Sequence, residues 1–220
     1  MKEKQLKFET APRMSADERK NQILRIAIDL FSKKGFKGTT TKEIAQIAGI
    51  SEAMLFKHFA SKDELYAAML DYKSCQAGIE ETFASLEEAI EKGADDEEIF
   101  YGLILKALRY HESDQEFLRL LLHSALEGHE FSELFVTRKI APIYELLGKY
   151  IEKRQKEGVF RDDVNARLIV RAFLGMMVHH SMNKILWDSG QRLLQVSDEE
   201  AARSFSDILL NGIRNKEVGQ

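Results

Sequence analysis

Apolar residues recur along the chain at intervals of three and four rather than two. Ile23, Leu24, Ile26, Ala27, Leu30 and Phe31 fall on one side of a helix, and Ala201, Ala202, Phe205, Ile208, Leu209, Gly212 and Ile213 repeat the pattern near the end. No period-two alternation survives over five residues, so the expected fold class is all-α. Boundaries come from start and stop chemistry. Five Ser/Thr-x-x-Glu capping boxes propose helix starts: Ser15/Glu18, Thr40/Glu43, Ser61/Glu64, Ser113/Glu116 and Ser197/Glu200. Gly35, Gly128 and Gly158 mark stops, the first and last after basic final turns. Between these marks about nine helices are predicted, at 16–34, 41–47, 52–59, 62–91, 95–111, 114–127, 133–157, 164–187 and 198–214. The fourth is open to a break near Gly78 and the seventh to a bend at Pro142. Residues 1–12 and 216–220 read as disordered tails.

The stretch GTTTKEIAQIAGISEAMLFKHFASKDEL, residues 38–65, holds helices too short to be stable alone. Ile44, Ala45 and Ile47 give the first an apolar face; Leu55, Phe56 and Phe59 supply the packing side of the second. Between them Gly49, two residues ahead of the cap Ser51, permits a positive φ and a steep meeting of helices with almost no linker. With the helix at 16–34 as a base, this is a three-helix helix-turn-helix head with one helix projecting, a shape that fits a DNA major groove.

Charge sharpens that picture. Residues 1–62 carry 13 Lys/Arg against 7 Asp/Glu, whereas the whole chain carries 32 against 36. A basic head on an acidic body directs the head, and not the body, towards a polyanion. The domain reading follows: residues 1–61 as a helix-turn-helix DNA-binding domain with its tail, and residues 62–220 as a larger helical ligand-binding and dimerisation domain. The first 25 residues lack the apolar core of a signal peptide, and no apolar run is long and charge-free enough to span a bilayer, so a cytoplasmic protein without a membrane partner is expected. The single cysteine, Cys75, excludes an internal disulfide framework or a multi-cysteine zinc site.

From Arg19 to Leu65 the chain resembles the DNA-binding domain of the TetR family of bacterial transcriptional regulators. The likeness rests on an amphipathic first helix, a Gly-aromatic turn, a Thr-capped second helix, the Ala48-Gly49-Ile50-Ser51 turn, the His58-Phe59 pair and the Lys62-x-Glu64-Leu65 entry to the next helix. The resemblance implies that Thr40, Thr41, His58 and Lys62 touch phosphates, and that Ser51, Glu52, Ala53, Met54 and Lys57 lie on the recognition helix. These groups suit the role, since hydroxyls, an imidazole N–H and a lysine all donate to phosphate oxygens. Two departures from the family pattern stand out. Ala53 and Met54 replace the common Gly and Thr or Ala, and Phe56 replaces the common Tyr, removing a phenol that would donate to a phosphate. Glu52 has two readings: acceptor from a cytosine N4 amine, or a charge that favours the positive end of its own helix.

The body carries no HExxH, Glu-x-x-His pair, P-loop or GxGxxG, so no catalytic residues, metal or cofactor are assigned. His179 and His180 are adjacent and point about 100° apart on a helix, which does not suit one metal ion. The resemblance implies an effector pocket between body helices. Phe100, Tyr101, Phe117 and Met176 are its candidate apolar lining, and His111, His123, Arg171 and His179 its candidate polar lining. It also implies a homodimer through the helices at 164–187 and 198–214, with two recognition helices set on a palindromic DNA operator. The expected function is a ligand-responsive transcriptional repressor. The competing classes are a helical enzyme or ligand carrier without DNA binding, and a regulator that answers to a protein partner or to no ligand.

Overall fold

The computed structural model describes residues 14–215; the tails expected at 1–12 and 216–220 fall outside the described residues. The helices are α1 (Ala16–Lys34), α2 (Thr41–Ile47), α3 (Glu52–His58), α4 (Lys62–Ala77), α5 (Ile79–Glu91), α6 (Asp96–Ser113), α7 (Gln115–Glu127), α8 (Glu130–Phe135), α9 (Ala141–Lys156), α10 (Ala166–Met182) and α11 (Asp198–Ile213). Among the described residues no strand forms, and one isolated antiparallel bridge joins Phe160 to Arg214. The all-α expectation holds, as does the helix-turn-helix head followed by a helical body.

Most boundaries follow the local chemistry. Ser15 and Glu18 form the full reciprocal box, the Ser15 hydroxyl accepting from Glu18 N–H at 3.1 Å and Glu18 accepting from Ser15 N–H at 2.7 Å. Thr40, Ser61 and Ser197 cap with their hydroxyls, but the glutamates of the first two turn elsewhere: Glu43 pairs with Lys34, and Glu64 accepts from Ala60 N–H at 2.6 Å. The box expected at Ser113 does not form. Asp114 caps α7 instead, accepting from Phe117 N–H at 3.2 Å, while the Ser113 hydroxyl donates back to the Tyr110 carbonyl and Glu116 goes to Lys73. An aspartate one residue closer to the helix is the stronger acceptor for the free N–H groups. Gly78, at φ 60°, divides the helix expected at 62–91 into α4 and α5. The helix expected at 133–157 starts earlier, at Glu130, and passes through a π-helical stretch, Val136–Ile140, before α9. That stretch lies directly ahead of Pro142, which lacks an N–H and crowds the preceding turn. A second π-helical stretch, Asn183–Trp187, ends α10.

Two hydrophobic clusters form the interior. The first joins the head to α4, α7 and α8: Ile23, Ile28, Ile44, Leu55 and Phe59 pack in one mass with Leu65, Met69, Phe117, Leu120 and Phe131. The second gathers Phe100, Ile104, Leu147, Ile151, Val170, Phe173 and Leu210 from α6, α9, α10 and α11. The interior of the head therefore continues past the boundary expected at residue 61 into the first body helices.

Charged residues tie the elements at fixed points. Lys73, buried on α4, donates to both Asp114 oxygens at 3.0 and 2.9 Å and to Glu116 at 2.8 Å, so α4 is clamped to the elbow between α6 and α7. Burial pulls the Lys73 pKa down, but the hydrogen bonds and charges of Glu116 and Asp114 outweigh it and leave the ammonium above its ordinary value. Asp96, buried at the start of α6, accepts from Tyr150 Oη and takes a two-pronged contact from Arg154 at 2.9 and 2.7 Å. Replacing Lys73 with Met leaves the Asp114 carboxylate without its cation in a largely dry site. Lys73→Met is expected to lower the unfolding free energy by about 3 kcal/mol, read from urea denaturation; an unchanged midpoint would show the clamp to be energetically idle.

Candidate nucleic-acid interface and effector cleft

The projecting helix is held by few residues. Leu55 and Phe59, both fully buried, anchor α3 against the head, and Lys20 sits 5.2 Å from the centre of the Phe59 ring. Gly49 takes φ 68° as the turn requires, and the Ile50 N–H bonds back to the Ala45 carbonyl at 3.0 Å. At about 100° per residue, the face opposite Leu55 and Phe59 consists of Ala53, Met54 and Lys57, with Phe56 and His58 on its flanks. Ala53, Met54, Phe56 and Lys57 are exposed; His58 is half-buried.

The phosphate candidates separate into two groups. Thr40 and Lys62 are exposed at the starts of α2 and α4, with the Thr40 hydroxyl also accepting from Glu43 N–H at 3.1 Å. Thr41 is buried, and its hydroxyl donates to the carboxylate of Glu52. The structure thus gives Thr41 a role inside the head, binding α2 to the first residue of α3, and it gives Glu52 a partner that neither of its sequence readings contained. Ser51 is the cap of α3, accepting from Met54 N–H at 3.1 Å. Phe56, expected on the packing side, is 37% exposed and belongs to the outer surface with Met54 at 41%. The reason is angular: Leu55 and Phe59 already fill the inward direction, and Phe56 lies to one side of it.

Behind the head, the α1–α2 turn rests on the corner between α7 and α8. Phe36 stacks on His129 with ring centres 3.8 Å apart and 23° between planes, Tyr66 meets the same imidazole edge-on at 4.6 Å, and Phe131 lies 5.6 Å from Phe36. Glu127 accepts from Lys37 N–H at 2.7 Å. Sequence reading missed this seam, because Phe36 reads only as the aromatic of the turn after Gly35, and His129, 93 residues away, belongs to no motif.

The eight effector candidates do not converge. Phe100 and Phe117 are buried, in the second and first clusters respectively. Tyr101 is half-buried on α6 beneath Arg203. His111 bonds Ser181 at 2.8 Å between α6 and α10, and burial holds its pKa below the ordinary value. His123 lies near Glu127 on the head side, and Arg171 is exposed beside Tyr144, Arg167 and Leu168 in an open surface depression. Only Met176 and His179 share a cleft. It measures about 390 Å³ and lies where the end of α10, the loop to α11 and Phe205 of α11 meet, with His180, Lys184, Leu194 and Val196 also on its walls. Aromatic residues at helical spacing signalled burial here and not a cavity. Among the described residues no group of His, Cys, Asp and Glu is placed to hold a metal ion, and no helix is long and apolar enough to cross a membrane.

These features define an all-helical chain whose basic helix-turn-helix head is fused to a helical body with an open, mostly apolar cleft. Residues 23–69, the helix-turn-helix head with the start of α4, match the sequence model described as bacterial regulatory proteins, tetR family. The chain is similar to the HTH-type transcriptional repressor NicS of Pseudomonas putida, 26% identical over 212 residues that cover 90% of this chain and 94% of that one. Among solved structures it resembles the TetR family transcriptional regulator PfmR from Thermus thermophilus, with a TM-score of 0.61, 29% identity and coverage of 86% and 97%. AibR in complex with isovaleryl coenzyme A and operator DNA shares the fold, with a TM-score of 0.63, 20% identity and coverage of 87% and 98%.

The seam makes the head's attachment sensitive to acid. His129 Nδ1 accepts from Phe131 N–H at 3.2 Å and so caps α8, a role open only to an unprotonated nitrogen. Burial lowers its pKa below the ordinary 6.5, Lys62 acting in the same direction and Glu127 against. A depressed histidine adds stability that is present above the unfolded value and is lost as pH falls through the folded one. Stability is expected to decline as pH falls below about 6.5, and His129→Asn, which keeps a cap and removes the titration, should flatten that decline in thermal melts. An identical slope in the variant would assign the loss to other groups.

Proposed function

We propose that the protein is a homodimeric repressor that binds a palindromic DNA operator through α3 and releases it when a small, mostly apolar effector occupies the body. The observation that carries this reading is the outward face of α3, projecting from a basic head and bearing Lys57, with Lys62 exposed at the start of the next helix. In duplex DNA such a helix enters the major groove while flanking cations meet phosphates. The work of such a protein is in the cytoplasm, on the DNA, and the chain needs no catalytic group for it.

Two surfaces support self-association. On α10, Leu168, Ala172, Gly175 and His179 line one exposed side, opposite the buried Ile169, Val170, Phe173 and Met177. On α11, Ser204, Ile208 and Asn211 are exposed together, and Ile208 is 63% exposed. The structure revises the expected surface of α11: Ala201, Ala202, Leu209 and Ile213 are buried in the protein's own second cluster, against α6 in the main, so Ile208 and Gly212 are what remains for a partner. Two-fold pairing of these faces sets the recognition helices about one DNA turn, roughly 34–36 Å, apart or a multiple of it. For the effector, the cleft beside Met176 and His179 offers apolar walls with a few polar groups, and its neighbour in fold AibR is described with an acyl coenzyme A.

Selection of bound fragments from random duplex DNA tests the reading directly: a palindrome is expected. Lys62→Ala should weaken binding on every sequence and flatten the dependence of log K on log salt by about 1 for each bound protomer. An unchanged slope would remove Lys62 from the phosphate contacts, and a chain indifferent to duplexes even at low salt would favour the helical ligand-carrier class instead.

A further inference from the structure

We propose that α3 reads its half-site through the methyl groups of thymine, with Met54 and Ala53 on its outward face and Phe56 on the flank away from Met54, so that Met54 and Phe56 meet different bases. This rests on the DNA-binding reading above and adds the chemistry of recognition to it. Base edges in the major groove present hydrogen-bond donors and acceptors, and a helix reads them with side chains that match. The polar side chains at the start of α3 already have partners within the protein: the Ser51 hydroxyl accepts from Met54 N–H at 3.1 Å, and the Glu52 carboxylate accepts from the buried Thr41 hydroxyl. One Glu52 oxygen is therefore engaged and the side chain leans towards α2. Beyond it the outward positions are Ala53, Met54 and Lys57, flanked by Phe56. Three of the four have no donor or acceptor in the side chain that suits a base edge.

Apolar exposure at these positions has a specific complement. Thymine alone among the four bases places a methyl group in the major groove, and contact with it is the one form of direct readout open to Ala, Met and Phe. Leaving Met54 41% and Phe56 37% exposed in water is unfavourable, and a row of methyl groups in the groove removes that cost. Charge complementarity brings the duplex to this face, since the first 62 residues carry 13 basic against 7 acidic side chains, and Lys57 stands at the centre of the exposed side. The division of labour is then clear: Lys57, Lys62 and Thr40 hold the backbone or a neighbouring guanine, and the apolar group selects positions that carry thymine.

The test takes the duplex selected from random DNA and replaces its thymines one at a time with deoxyuridine, which pairs identically and lacks the methyl. Each thymine that meets Met54 or Phe56 should bind about threefold to fivefold more weakly after replacement. Met54→Ala and Phe56→Ala, substitutions at exposed positions, should each abolish the discrimination at its own thymine while keeping the helix content by circular dichroism and the salt dependence of binding. A site whose affinity is unchanged when every thymine is replaced would overturn the proposal and leave DNA binding standing. Discrimination that persists in both variants would overturn the assignment to these residues. Failure to enrich any duplex would remove the DNA-binding reading and this one together.

Discussion

A seven-residue helix does not persist in water by itself, and the rest of this protein's design depends on how α3 is kept in place. Leu55 and Phe59, without any exposed surface, anchor it to the head, and the turn at Gly49 fixes the angle at which it leaves α2. The Thr41 hydroxyl on the Glu52 carboxylate adds a lateral tie between the two short helices. Burial supplies most of the stabilisation and the tie supplies direction. With the inward side filled and Glu52 tied to α2, Ala53, Met54, Phe56 and Lys57 are left exposed, and the proposed DNA reading rests on their chemistry.

The head is not an independent ball on a string. Its interior continues through Leu65, Tyr66, Met69 and Leu70 of α4 into Phe117, Leu120 and Phe131 of α7 and α8, and the stack of Phe36 on His129 closes the opposite side. A body helix that shifts must therefore either carry the head with it or break apolar and aromatic contacts. Close-packed interiors favour the first outcome, because they rearrange between discrete arrangements and do not stretch.

Much of this was legible in the residues. Gly49, the hydroxyl caps at Ser15, Thr40, Ser61 and Ser197, and the stops at Gly35, Gly128 and Gly158 are local rules, each acting within a few positions of its own sequence, and the helices obey them. What the sequence concealed depends on partners distant along the chain. Thr41 and Glu52 both looked surface-bound until the angle between α2 and α3 brought them together. Asp114 displaced Ser113 as a cap while also receiving Lys73 from α4, 41 positions away. The effector candidates scattered for a related reason: helical spacing of Phe100 and Phe117 reports that a face is buried, but two separate clusters can each satisfy it. On α11 the same ambiguity sent Ala201, Ala202, Leu209 and Ile213 inward where a partner surface was expected.

The ion pairs of the body suggest how occupancy of the cleft and posture of the head can share one free-energy balance. Lys184, on the cleft wall, donates to Asp198 at the start of α11 at 3.0 Å and lies 3.1 Å from Glu112 near the end of α6. Two residues further on, Asp114 caps α7 and holds Lys73 of α4, the helix that follows the head directly. Along this line each contact is charged and has at least one partner shielded from water, so a displacement at one end is not absorbed by solvent as it would be at an open surface. A ligand that bound the cleft equally well in both postures would change nothing, however tightly it bound. On the proposed reading, a ligand that preferred one posture by about 1–3 kcal/mol, for instance through the position of Lys184, would alter DNA affinity some 5 to 150-fold, and DNA would alter the ligand's affinity by the same factor.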